Sequence, residues 1–449
     1  MTSAPDPPPP PPLLRLDDPA LDLPTALDTL PEEHFQRGLI PVELEQGVPA
    51  WLMITLDCLQ RVLKDEQRYA RDPRAWHDLW NGTIPATSPL QALYPPRRNA
   101  LSVDGAEHTR LREAVTGALE DVALSRVPHQ VSETADLIVD GFCTRGEADV
   151  VSEYASVLPL LVLCRLFGMD QSAGLRVGMA MQRLWDGQAD AGHAHHQLQD
   201  LLIGHAAHRR AHPGRDITTG MITRGLDDEE IRDQLALIMA AAHDPIAHTV
   251  TNTLADLLQT SRLHMVGSTW LISETLNHGI WHHPPLETLV GRFPTVDGLE
   301  LGGYRLRRGD CLVMGFGAAQ RHQLRTTPPG PSNRAYPVFG MGPHGCPRLG
   351  RDIALSTAQT GVERLQQRLP DLRLSQEPAQ RRASTVIAGR RALPVTFTPA
   401  RPLTAPAATH QENPWNPSPA PRRASASNST TPPPTRSVFA KLARWLRSS

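Results

Sequence analysis

The 449-residue chain has no CxxC pair, and its five cysteines, Cys58, Cys143, Cys164, Cys311 and Cys346, lie far apart. That spacing argues against a disulfide framework or a cysteine-built zinc site and fits a reducing compartment. No apolar run reaches the ~18 residues that mark a membrane span. No basic-apolar-cleavage pattern opens the sequence, so a cytoplasmic protein is the expectation. Charge is balanced, 45 Lys+Arg against 47 Asp+Glu for a formal net of -2, which leaves no global basic field for nucleic acid. No internal repeat is evident. What remains is a chain 40% hydrophobic and 20% charged, enough for a large core.

Composition divides this chain into four parts. Residues 1–15, with the polyproline run Pro7 to Pro12, are expected to be disordered. Residues 16–400 read as one mostly helical domain. Residues 401–435, rich in Pro, Ser, Ala and Thr, read as a disordered linker. Residues 436–449 read as a short basic amphipathic helix, with Phe439, Leu442 and Leu446 beside Lys441, Arg444 and Arg447. Such a helix suits a protein groove or a membrane surface, and a frayed tail is the plain alternative.

Within the large domain, Val157 to Phe167 is an apolar helix with Pro159 in its first turn. Asp228-Glu229-Glu230 supplies acidic residues suited to a helix start. The following run, Ile231 to Leu258, predicts a long central helix that bends at Pro245. Strand signals are fewer: 51–54, 303–306, 310–314 and 393–397. The fold class is mainly α with a minor β-sheet region.

The densest motif is Phe339-Gly340-Met341-Gly342-Pro343-His344-Gly345-Cys346-Pro347. A free cysteine is most often a small buried hydrophobe. Here glycines permit close backbone approach, and a thiolate in such a frame suits heme iron. His108 and Arg112 stand four apart, on one face of a helix, and donors of this kind make strong charge-assisted bonds to carboxylates.

Taken in order along residues 16–400, these motifs resemble the cytochrome P-450 superfamily of heme-thiolate monooxygenases. The resemblance implies a P-450-like fold, with heme b held between a long distal helix and the helix after the cysteine loop. It makes Cys346 the axial iron ligand, with Phe339 and Gly340 in the ligand loop. His108, Arg112, Arg292 and His344 become the donors to the heme carboxylates. The central helix matches the oxygen-side pattern A-G-x-D/E-T through Ala241, Ala242, His243, Asp244 and Pro245. Asp244 keeps the carboxylate that relays protons, and Ala241, Ala242 and Pro245 would lie against the substrate. A ferredoxin-type electron donor, dioxygen and a small organic substrate are implied partners. Arg348 and Arg351 are candidates to steer an acidic redox partner, and segments 76–100 and 170–215 read as selectivity loops.

Three departures stand out. Pro245 replaces the helix alcohol, Ile246 follows it, and Thr249 is the nearest substitute. The proximal E-x-x-R pair is absent: counting from Pro284-Pro285 puts His278 and Trp281 at its two positions, and sliding by one gives Asn277 and Ile280. Arg348 stands where a glycine is usual, and Gly350 is displaced. An actinobacterial subgroup shares the missing pair, the tryptophan and the Cys-Pro dipeptide. Such members are often encoded beside GTPase-type systems, so the alternative function is a catalytically weakened heme protein with a regulatory or scaffold role.

Overall fold

The computed structural model describes residues 13–185, 191–260, 269–330, 332–375, 385–387 and 389–403. The helix expected over 436–449 and nearly all of the 401–435 segment lie outside the described residues, as does 1–12. Leu14 and Arg15, assigned to the N-terminal tail, instead form a strand paired in parallel with Val42 and Glu43. At the other boundary, Leu403 donates its amide to Asp140 at 3.0 Å, so ordered chain extends past residue 400.

The central helix, Asp228–Gln259, starts at a capping box: Asp227 accepts from the Glu230 amide, and Glu230 accepts from the Asp227 amide. It runs through Pro245 as one helix. Ile231, Leu235, Met239, Ile246, Val250, Leu254 and Leu257 are all buried. A helix apolar on most sides belongs inside the core, and this one packs against Leu158–Leu166, Ala191–Ala211, Thr269–His282 and Arg348–Arg368. Leu158–Leu166 carries Pro159 in its first turn. The segment 170–215, read as a loop, contains two helices, Gln171–Trp185 and Ala191–Ala211. Their apolar positions Val177, Ala180, Leu198 and Leu202 pack into the main core, so helical periodicity prevailed over loop composition.

The minor sheet has six strands in the order Leu14–Arg15, Leu39–Glu43, Pro49–Met53, Leu312–Met314, Leu289–Pro294, Tyr69–Ala70. Its strand Leu289–Pro294 slips register between Val290 and Arg292, with Gly291 at φ +118. A bulge of this kind re-aims the next side chain, and Arg292 turns fully inward, 1% exposed. Among the described residues, no helix is long and apolar enough to cross a membrane.

Candidate functional site

Cys346 ends a tight loop that follows the 3-10 turn Pro337–Phe339. Its amide donates to the Phe339 carbonyl at 2.8 Å, and the Gly345 amide donates to Gly342 at 3.1 Å. Gly342 has φ +71, and a Cβ there would sit 2.1 Å from the Leu63 carbonyl oxygen, so only glycine fits. Helix Arg348–Arg368 begins immediately after Pro347, placing the sulfur before a helix N-terminus, where negative charge is favoured. The residue is exposed overall, yet neighbouring atoms still desolvate its sulfur. Desolvation raises the thiol pKa, and Arg112 and Arg351 pull the other way. Gly350, one turn into the helix, faces the sulfur: a Cβ there would lie 3.5 Å from Sγ. The position two residues after the cysteine points elsewhere, since the Arg348 side chain is 77% exposed.

Above this loop, the cationic side chains carried over from sequence come together. The His108 and His344 rings stack with centroids 4.0 Å apart. Arg112 donates to the Gly345 carbonyl at 2.5 Å, tying helix Gly105–Glu120 to the cysteine loop. Arg292 donates to the Tyr69 carbonyl at 3.3 Å. Several buried nitrogens of this group have no hydrogen-bond partner: His108 Nε2, His344 Nδ1 and Arg292 Nε. Burial, with Arg292 next, pushes the His344 imidazole down to about 3. Burial, with Arg71 next, pushes Arg292 down to about 10. Each group is thus held where burial, more than any nearby carboxylate, decides the cost of its charged form.

Sequence reasoning missed three members of this cluster. Arg71 is buried, donates to the Val290 and Gly291 carbonyls at 2.7 and 2.5 Å, and occupies the space a Cβ on Gly291 would need. Asp104 accepts from the Arg71 and Asp72 amides at 2.8 and 2.9 Å and lies 3.5 Å from His344 Nε2. Glu66 brings a carboxylate to His108 and His344, with ligand-type atoms all within 4.8 Å. Arg71 and Glu66 sit in no motif, and Asp104 opens the segment that carries His108 and Arg112 without a role of its own there; only Gly291, directly before Arg292, hinted at crowding.

On the central helix, Ala241 is exposed while Ala242, Asp244 and Pro245 are partly buried. Ala241, Asp244 and Pro245 share one helical face (i, i+3, i+4), which is less buried than the 246–255 stretch that follows. His243 points away into the core, 2% exposed, with Nδ1 2.7 Å from Asp244 Oδ1 and Nε2 2.7 Å from the Ser156 carbonyl oxygen. Thr249 donates to the Pro245 carbonyl at 2.7 Å, so its hydroxyl hydrogen is spent on its own helix.

The missing E-x-x-R pair has a local replacement. Counting from Pro284-Pro285 had put His278 at the buried glutamate position, but His278 is exposed and stacks on His282. Asn277 faces inward, and its Oδ1 accepts from the Tyr336 hydroxyl at 2.7 Å. Glu274, three residues earlier on the same face, accepts from Arg334 at 2.6 Å. Trp281 donates from Nε1 to the Asn333 carbonyl at 3.0 Å. Three bonds therefore tie helix Thr269–His282 to residues 333–336, which lead straight into the cysteine loop.

No family model matches the chain. Curated relatives match most of it. It is 25% identical over 385 residues to the 2-hydroxy-5-methyl-1-naphthoate 7-hydroxylase of Streptomyces carzinostaticus, covering 80% of this chain and 92% of that one. It is 27% identical over 383 residues to the cytochrome P-450 monooxygenase DoxA of a Streptomyces species, covering 77% and 88%. Among solved structures, CYP154C4 from a Streptomyces species superposes with TM-score 0.72 at 25% identity, covering 85% and 97%. CYP154A1 from Streptomyces coelicolor gives 0.71 at 25%, covering 86% and 100%. Fold and relatives together define a heme-dependent oxidoreductase. More particularly, the chain is similar over most of its length to cytochrome P-450s, and that similarity supports a heme-thiolate monooxygenase of the P-450 type with heme b as its cofactor.

Proposed function

We propose that this monooxygenase inserts one oxygen atom of dioxygen into a small organic substrate, with electrons from a ferredoxin-type donor in the cytoplasm, and that Cys346 is its iron ligand. Heme, when bound, supplies the activation of dioxygen and the oxygen-insertion chemistry. The observation that carries the site assignment is the set of buried, partnerless nitrogens on His108, His344 and Arg292. Buried polar nitrogens of that kind are costly while unpaired, and with His344 Nδ1 protonated the set suits two carboxylate acceptors.

Within that reading each residue has a physical task. Arg292 and Arg112 are permanent cations that offer charge-assisted bonds. The Val103 carbonyl takes the hydrogen on His344 Nε2 at 2.9 Å, so a carboxylate beside Nδ1 favours the doubly protonated ring. Phe339 and Gly340 fix the loop that presents Cys346; burial raises the thiol pKa on balance, while Arg112, Arg351 and the helix start behind it offset part of that cost to the thiolate. Ala241, Ala242 and Pro245 shape the substrate side with small side chains. Asp244, with its side chain 35% exposed, holds a proton at its carboxyl for the oxygen chemistry.

A carbon-monoxide difference spectrum of the reduced protein tests the assignment. Wild type is expected to give the red-shifted Soret band of thiolate ligation, and Cys346→Ala to lose it. An unchanged band in that variant would overturn Cys346 as the ligand.

A further inference from the structure

His243 adjoins the carboxylate on which the proton route rests, and its two hydrogen bonds fix its composition. Nε2 lies 2.7 Å from the Ser156 carbonyl oxygen. A carbonyl oxygen brings no hydrogen, so the hydrogen of that bond belongs to Nε2. Nδ1 lies 2.7 Å from Asp244 Oδ1. An imidazole nitrogen and a carboxylate oxygen each present a lone pair, and they reach that distance only with a hydrogen between them. The pair therefore holds one more proton than a neutral imidazole beside a carboxylate. Imidazolium with carboxylate and imidazole with carboxylic acid are two drawings of the same net-neutral dyad.

The surroundings maintain this arrangement. Ser156 ends the π-helical turn Val151–Ala155, where a carbonyl is left available beyond the turn. Neighbouring residues of a regular helix do not face each other. Pro245, next in sequence, has no N–H for the Ala241 carbonyl, which loosens the helix at this step. His243 is sealed in the core while Asp244 lies on the less buried face, with side chains 2% and 35% exposed. One end of the dyad is anchored and the other is accessible.

We propose that His243 is a positioning residue that stores, jointly with Asp244, the proton the oxygen chemistry consumes, in place of the helix alcohol that Pro245 displaces. The inference rests on the reading that Asp244 serves the proton route. In the delivery step Asp244 takes the shared hydrogen as a carboxylic acid, turns its O–H outward and releases the proton on its open side. No electron leaves the dyad; the electrons come from the redox partner. A neutral imidazole then faces a carboxylate lone pair to lone pair. Their repulsion keeps the carboxylate turned outward, where it takes a replacement proton from hydronium or buffer acid in the solvent and swings back to re-form the bond.

The heme-loaded full chain tests this in two ways. With 15N-labelled histidine, the reduced carbon-monoxide form is expected to show a His243 signal protonated at Nε2 and sharing a proton at Nδ1, assigned by its loss in His243→Gln. A His243 ring without hydrogen on Nε2 overturns the proposal, whatever the variants do. His243→Gln keeps an N–H for Ser156 but no shareable ring proton. It is expected to retain wild-type heme content and carbon-monoxide spectrum. Its dioxygen consumption, driven by a surrogate ferredoxin system, should fall about tenfold, less than the ~10²–10⁴-fold of a general acid itself because Asp244 remains, with a larger slowing in D2O than wild type shows. Wild-type consumption in His243→Gln together with impaired Asp244→Asn overturns the His243 role alone. Wild-type consumption in both overturns the Asp244 proton route itself.

Discussion

Trp281 carries at residue scale what an arginine does in the usual brace. It is 4% exposed, donates to the Asn333 carbonyl, and its ring lies 5.8 Å from that of Tyr336. Gln320, fully buried, donates to the Ile280 and Trp281 carbonyls at 2.5 and 2.7 Å, so the helix end around the indole is held from two sides. Restoring arginine alone would bury a guanidinium where the indole now packs. Removing one partner of a buried ion pair costs about 3–5 kcal/mol, and creating an unpaired buried cation belongs to the same range. Trp281→Arg is therefore expected to lower unfolding stability by about that amount. Adding His278→Glu should not recover it, because residue 278 faces solvent and cannot reach the buried side of its helix. Denaturant unfolding of the heme-loaded single and double variants measures both. Recovery in the double variant would show that the helix accepts the family pair at 278 and 281.

At the scale of elements, the central helix depends on its first turn. Glu230 is 2% exposed yet receives Arg110 and Arg98 and the Asp227 amide. Burial pushes its carboxyl up, but the Arg110 hydrogen bond and the Asp227 backbone contact outweigh it, so the net shift is below the ordinary 4.5. A carboxyl whose folded-state pKa is depressed binds its proton more readily in the unfolded chain. Its contribution to stability is complete above about pH 4.5 and is lost as pH falls below that value. Glu230→Gln is expected to be less stable than wild type at neutral pH, with the gap narrowing below pH 4.5. Thermal midpoints across pH 3.5 to 7 would measure it; a constant gap would mean that the capping geometry, and not the charge, anchors the helix.

At the scale of the whole molecule, the helix periods, the capping acids and the strands around 51–54 and 310–314 were legible because each is a local pattern. The cysteine loop was legible for the same reason. Arg71, Glu66 and the Asn277–Tyr336 bond were not, since each gains its meaning from a partner more than 40 residues away. His243 stands at a variable position of its motif, so only three-dimensional contact with Ser156 distinguishes it. The buried cluster around His344 makes one further demand on the molecule as a whole. Arg292, His108 and His344 carry buried nitrogens with no hydrogen-bond partner, and folding alone leaves that cost standing. A ligand that supplies carboxylates stabilises the native state by its binding energy. Reconstitution with heme is thus expected to raise the thermal midpoint well above that of the heme-free chain. Heme dimethyl ester, which keeps the iron but masks both carboxylates, should still give the thiolate Soret band while returning much less of the stability. Equal midpoints for heme and ester would mean that the iron–sulfur bond and ring burial supply the stabilisation, and that His108, Arg112, Arg292 and His344 are not the carboxylate clamp.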